Sequence, residues 1–219
     1  MRPRTVSACA AAMCLALFLA ACQPGEGHSD ASTGAPEAGG PEQAAVAGEI
    51  RKNDPDHPLV DYAKGDLSRL DLTHGDKVLP GDVLIDESGE ATSLDTYRGR
   101  VVVLNLWGDW CPPCIDEMPT LAALQTKFDK AEVAVVPVAL GPTKGRQKAA
   151  DTLRKLTDGT LPFLFDERFE VSSELGVGDF PTTIVFDRSG KEVARLSYPA
   201  DWASDEAVAL VRKVETGDS

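Results

Sequence analysis

One short segment constrains the fold of this chain more than any other. Residues 101–107 are almost continuously apolar, broken only by Asn105. They are followed at once by Trp110-Cys111-Pro112-Pro113-Cys114, and then by Met118, Leu121, Leu124 and Phe128 at helical spacing. An apolar run of this length predicts a strand buried on both faces. The spacing after it predicts a helix over about residues 111–130. Two thiols therefore stand where a buried strand gives way to a helix N-terminus.

The flanking pattern extends this unit on both sides. Val83-Leu84-Ile85 and residues 91–94 read as a β-hairpin across a polar turn. Residues 132–140 form a second apolar strand, 143–157 an amphipathic helix, and 161–165 a short strand. Residues 169–175 form a short helix stopped by Gly176. Residues 182–187 and 192–197 form a closing hairpin. Ser204 caps a last helix running through Val214. Alternating strands and helices imply an α/β fold: a mixed central sheet with parallel inner strands, helices on both faces and an antiparallel hairpin at one edge. Residues 59–62 and 67–72 read as short strands or turns. No internal repeat is present.

Lys and Arg total 22 against 35 Asp and Glu, a net charge of −13 over 219 residues. Such a chain does not neutralise phosphates at scale, which excludes general nucleic-acid binding. His28, His57 and His74 all lie in the first third, so a His-rich metal site is not expected.

The N-terminus reads as an address. Two Arg lie within the first four residues, and 8–19 are almost wholly apolar. A basic start before a short apolar run predicts a secretory signal. Leu19-Ala20-Ala21-Cys22 is similar to the bacterial lipobox, which implies cleavage after residue 21, lipidation at Cys22, and attachment to a membrane through the lipid alone. Gln23 at the next position resembles the outer-membrane-directed pattern, if the host is Gram-negative. Residues 23–49 hold six Gly, three Pro, five acidic residues and no Lys or Arg, so 22–58 are expected to form a disordered tether. Residues 59–78 form a lead-in, and 79–219 the folded domain.

Cysteine arithmetic then isolates the chemistry. Cys9 and Cys14 would leave with the signal and Cys22 would carry lipid, so Cys111 and Cys114 remain as thiols. Zinc would need a second ligand pair. Unpaired backbone N–H groups and the helix dipole would stabilise a Cys111 thiolate, making it the nucleophile. Cys114, one turn on and facing inward, would be the resolving thiol. Pro112 and Pro113 occupy early helix positions where a missing N–H costs little. A soft-metal carrier for copper is an alternative use of the dithiol. A thiol peroxidase is another, but it would want a Thr-x-x-Cys element, whereas Thr120 follows the cysteines.

Residues 107–114 together with Glu117-Met118-Pro119 resemble the active-site segment of the thioredoxin superfamily, and within it the TlpA-like, membrane-tethered thiol–disulfide oxidoreductases. The resemblance covers about residues 79–216. It implies a thioredoxin-like fold with an N-terminal hairpin extension, a redox-active Cys111–Cys114 disulfide and no cofactor. Residues 178–183 resemble the superfamily's cis-proline loop, which implies a cis bond before Pro181 and places the Phe180 backbone beside Cys111 for substrate docking. Pro119 matches a helix-kinking proline. Glu117 matches an acidic position near the dithiol, implying a role as proton acceptor and tuner of thiol ionisation. Asn105 departs from the buried Asp of the best-known members and cannot accept a proton itself. Trp110 is expected to cover one side of the disulfide, Trp107 to lie in the core, and Asp109 and Asp116 to be exposed. The resemblance further implies reduction of disulfides in exported proteins, among them apo-cytochrome c and periplasmic metallochaperones. It also implies re-reduction by a membrane electron donor of the thiol-transporter type, and a monomer facing the periplasm.

Overall fold

The computed structural model describes residues 56–72, 77–142 and 145–217. The signal, the lipobox Cys22 and most of the expected tether lie outside them. The described residues all belong to one compact unit spanning 45–219.

The strands are β1 (Val83–Asp86), β2 (Ala91–Ser93), β3 (Val101–Trp107), β4 (Val133–Leu140), β5 (Leu164–Asp166), β6 (Thr182–Phe186) and β7 (Glu192–Leu196). The helices are α1 (Pro112–Gln125), α2 (Arg146–Thr157), α3 (Glu170–Glu174) and α4 (Asp205–Glu215). The sheet order is β2-β1-β5-β4-β3-β6-β7. β3, β4 and β5 run parallel. The N-terminal hairpin joins antiparallel beside β5, and β6–β7 joins antiparallel beside β3.

β3 is central, and every one of its residues is buried. Val101, Val103 and Trp107 face one apolar cluster, shared with α1, α2 and α4. Val102, Leu104 and Leu106 face the other, which α3 and the 3-10 turn Leu94–Tyr97 help to cover. Each such aliphatic side chain contributes about 1.5–3 kcal/mol by leaving water. This apolar sandwich is what fixes the end of β3, and with it the start of α1.

Three local details differ from the pattern read in sequence, while residues 59–72 take the turn alternative. α1 stops at Gln125 rather than near residue 130. The Gln125 amide turns inward, donating to the Val133 carbonyl at 3.1 Å and accepting from the Val135 N–H at 2.8 Å, which ties the helix end to β4. α2 begins at Arg146, after Gly145. β5 pairs only from Leu164, beyond Pro162, which has no N–H to offer a ladder. Residues 59–72 form two 3-10 turns (Val60–Tyr62 and Gly65–Leu67), with Leu59, Leu67, Leu70 and Leu72 buried in the core shared with α4. A backbone bridge between Asp71 and Arg195 pins this segment to the outer edge of β7, covering a strand that would otherwise expose its N–H and C=O row.

Candidate active site

β3 ends at Trp107, and the turn through Gly108, Asp109 and Trp110 delivers Cys111 to the N-cap position of α1. Pro112 and Pro113 follow as the first helical residues, both exposed. Cys111 and Cys114 form a disulfide with an S–S distance of 2.11 Å and a Cα–Cα distance of 5.3 Å. Cys114 is fully buried, while Cys111 retains a small exposed area.

The loop before β6 closes over this disulfide. The Phe180–Pro181 bond is cis. The Phe180 carbonyl oxygen lies 3.8 Å from Cys111 Sγ. Trp110 is 56% exposed and meets the Phe180 ring edge-on, with centroids 5.8 Å apart. Its indole lies so close over Gly108 that a Cβ there would come within 2.5 Å of the ring. Glycine is the residue that leaves room for the indole against the turn.

Behind the disulfide, on the buried side of α1, sits Glu117. Asn105 of β3 donates from Nδ2 to Glu117 Oε1 at 2.8 Å, and the Ala200 N–H donates to Oε2 at 3.2 Å. Burial pushes the carboxyl from its ordinary 4.5 up to about 7, against these donors, which pull it down. The Trp202 indole N–H faces the same carboxylate without making a hydrogen bond of normal geometry. An open groove between Pro113 and Ala200, lined also by Asp66, Asp116 and Asp201, leads from solvent to Glu117. The site thus unites the Cys111–Cys114 disulfide, the Phe180 carbonyl beside it, and a buried carboxyl that desolvation pushes up toward neutrality.

Residues 75–194 match the AhpC/TSA family. The chain belongs to the AhpC/TSA family. Its relatives within this thioredoxin-like group include the thiol-disulfide oxidoreductase ResA of Geobacillus thermodenitrificans, 37% identical over 113 residues, which are 51% of this chain and 63% of that protein. The thioredoxin-like protein YneN of Bacillus subtilis is 36% identical over 104 residues, 47% of this chain and 59% of that one. The chain therefore spans less than two thirds of the length of these relatives. ResA of Bacillus anthracis is 30% identical over 120 residues, 55% of this chain and 68% of that one. Among solved structures, the thioredoxin domain of a Bacteroides vulgatus thiol-disulfide oxidoreductase superposes with a TM-score of 0.54 at 22% identity, covering 65% of this chain and 97% of that one. A thioredoxin family thiol:disulfide interchange protein of Chlorobium tepidum TLS gives 0.53 at 19%, covering 64% and 96%. These likenesses establish a thioredoxin-like fold.

Within this AhpC/TSA member, Trp107 lies in the core and Pro119 inside α1. Asp116 is exposed. Asp109 is not: its side chain is 11% exposed and pairs with Lys148 of α2 at 2.7 Å. The expectation of a solvated Asp109 is corrected by this tertiary ion pair, which local sequence does not reveal. Thr120 donates its hydroxyl to the Glu117 carbonyl at 2.7 Å and accepts from the Trp202 N–H at 3.1 Å. Among the described residues, no group of three or more His, Cys, Asp or Glu is placed to hold a metal ion, and no helix is long and apolar enough to cross a membrane.

Sequence reasoning passed over Thr183, Ala200 and Trp202. Thr183 carried one available signal: it lies two residues after Pro181 on a strand, so its side chain shares a sheet face with Pro181. Ala200 contributes only a backbone N–H, which no side-chain pattern announces.

Proposed function

We propose that the protein is a thiol–disulfide oxidoreductase of the bacterial cell envelope, working as a reductase of disulfides in exported proteins. The observation that carries this reading is the Cys111–Cys114 disulfide at a helix N-terminus, facing the Phe180 carbonyl with the Glu117 carboxyl behind it. The names of the curated relatives, thiol-disulfide oxidoreductase ResA above all, support the same chemistry.

In the reduced protein, the Cys111 thiolate attacks one sulfur of a substrate disulfide. A mixed disulfide forms and one substrate thiolate leaves. The substrate segment lies extended against Phe180 and under Trp110, pairing with the backbone N–H and C=O of Phe180. Cys114 gives its proton to the Glu117 carboxylate and attacks Cys111 Sγ. The second substrate thiolate leaves, and Cys111–Cys114 closes. Two electrons have passed to the substrate, and the protonated Glu117 returns its proton to solvent by the acidic groove. A membrane donor of the thiol-transporter type then reduces the disulfide again. No cofactor takes part.

Cys22 anchors the chain through lipid, with residues 22–58 as tether and the domain, a monomer, facing the periplasm. Gln23 favours the outer membrane in a Gram-negative host. Immature cytochrome c, whose thiols must be free before haem attachment, is a fitting substrate class. The peroxide reading is not favoured by the placement of Thr120, whose hydroxyl is engaged on the far side of Glu117.

The test is capture. Full-length Cys114→Ser, expressed in the native envelope, should accumulate disulfide-linked adducts to specific exported proteins through Cys111. Cys22→Ser should release the protein from the membrane and leave exchange with glutathione intact. Absence of adducts with the lipidated Cys114→Ser chain would refute the reductase reading.

A further inference from the structure

Asn105 and Thr183 sit directly opposite each other on β3 and β6, in register, beneath the loop that carries Phe180 and Pro181. Asn105 Nδ2 spends both hydrogens: one on Glu117 Oε1 at 2.8 Å, the other on Thr183 Oγ1 at 2.9 Å. Its Oδ1 is buried with no hydrogen-bond partner. A buried amide kept only for packing would satisfy both ends. Here the orientation is dictated by the two acceptors. Turned over, the amide would set its oxygen against an ionised carboxylate, two acceptors face to face.

We propose that Asn105 is a positioning residue, which holds the Glu117 carboxylate in its ionised, proton-accepting state and indexes it, through Thr183, to the strand that carries the substrate loop. The inference rests on the reading of Glu117 as proton acceptor for Cys114. An aspartate at position 105 could not do this: it offers no donor, and its charge would oppose that of Glu117. An amide donates to the carboxylate without titrating itself. Thr183 supplies the second anchor, so the amide cannot rotate away when Glu117 changes state. The groups facing Glu117 from the packed elements are Asn105 on β3 and Ala200 and Trp202 on the loop before α4, with Cys114 one helical turn before it among the buried residues of α1. The charged groups along its groove are Asp66, Asp116 and Asp201. All of these except Asn105 are identical in wild type and in an Asn105 variant, so a change in pH response reports on the amide.

The test uses the purified full chain, reduced and mixed with oxidised glutathione. Quenched-flow mass spectrometry follows the glutathione adduct on Cys111 as Cys114 resolves it, from pH 5 to pH 9. In wild type the resolving rate should rise through an inflection near neutrality. In Asn105→Ala the inflection should move up by about one pH unit, and the rate below it should fall about tenfold. In a Glu117→Gln background the inflection should vanish, and adding Asn105→Ala should change the profile no further. Thr183→Val, which keeps the side-chain shape, should shift the inflection in the same direction by less, and serves as the test if Asn105→Ala does not fold. If Asn105→Ala and Thr183→Val leave the inflection in place, or slow the step equally at every pH and equally in the Glu117→Gln background, Asn105 is structural and the proposal is overturned. If Glu117→Gln itself leaves the wild-type profile unchanged, the proton-acceptor reading beneath it is what has failed.

Discussion

Cys111 Sγ lies 3.8 Å from the carbonyl oxygen of Phe180, although the two residues are 69 positions apart in the chain. The contact sets the less buried of the two cysteines against the backbone of the loop that carries the cis Phe180–Pro181 bond. Trp110, edge-on to the Phe180 ring, forms the other wall.

That wall depends on Gly108. A Cβ there would strike the Trp110 indole at 2.5 Å, so Gly108→Ala must lift the ring from the turn. Gly108 has no positive φ to lose, so the strain falls on the tryptophan and not on the backbone. Gly108→Ala should slow reduction of a protein disulfide such as insulin several-fold and change Trp emission. Exchange with glutathione, which needs little docking, should change less. Equal effects on both substrates would mean that the indole does not contribute to docking.

Glu117 makes stability depend on pH in a defined direction. Its folded-state value is raised to about 7 from 4.5, chiefly by burial. The contribution is therefore fully present below about pH 4.5, is lost as pH rises toward 7, and stays lost above it. The size is about 3 kcal/mol, taking about 1.4 kcal/mol per pH unit. Urea unfolding of the oxidised protein at pH 4 and pH 8 should show wild type losing about 3 kcal/mol more than Glu117→Gln over that interval. A constant difference between the two proteins would mean that Glu117 is not perturbed.

A buried ion pair stands apart from the sulfur chemistry. Arg195 grips both oxygens of Glu192 at 2.8 Å and donates to the Leu175 carbonyl at 2.9 Å. Both side chains are almost fully buried. Arg195→Ala leaves the Glu192 carboxylate in the interior without its guanidinium, which costs about 3–5 kcal/mol. Denaturant midpoints should fall accordingly, while the rate of Cys111 exchange with glutathione stays at the wild-type level in the folded protein.

The features readable from sequence were those with short-range causes. The Cys pair, its prolines and the following helix form one continuous stretch, and the apolar run at 101–107 declares β3 by itself. Ser204 caps α4 through a bond to the Ala207 N–H, a contact three residues long. What was not readable depends on distant partners. Ala200 reaches Glu117 across 83 residues, and Thr183 reaches Asn105 across 78. Asp109, in the turn before α1, pairs with Lys148 of α2, 39 residues away. The early end of α1 follows from the bonds of Gln125 to β4, since nothing in residues 126–130 forbids helix. Leu59, Leu67, Leu70 and Leu72 have neither strand nor helix period, so their burial emerges only once α4 and β7 are in place to receive them.

The central claim is that Cys111 and Cys114 form a reversible two-electron couple with Cys111 as the entry point. Equilibrating the purified chain in graded glutathione and dithiothreitol buffers, with alkylation and site-resolved mass spectrometry, addresses it most directly. The account predicts that both sulfurs convert together along a two-electron curve, tenfold per about 30 mV, and that Cys114→Ser collects one glutathione on Cys111. A Cys111–Cys114 bond that stays closed throughout the series, or an adduct that forms as readily on Cys114 of the Cys111→Ser chain, would contradict it.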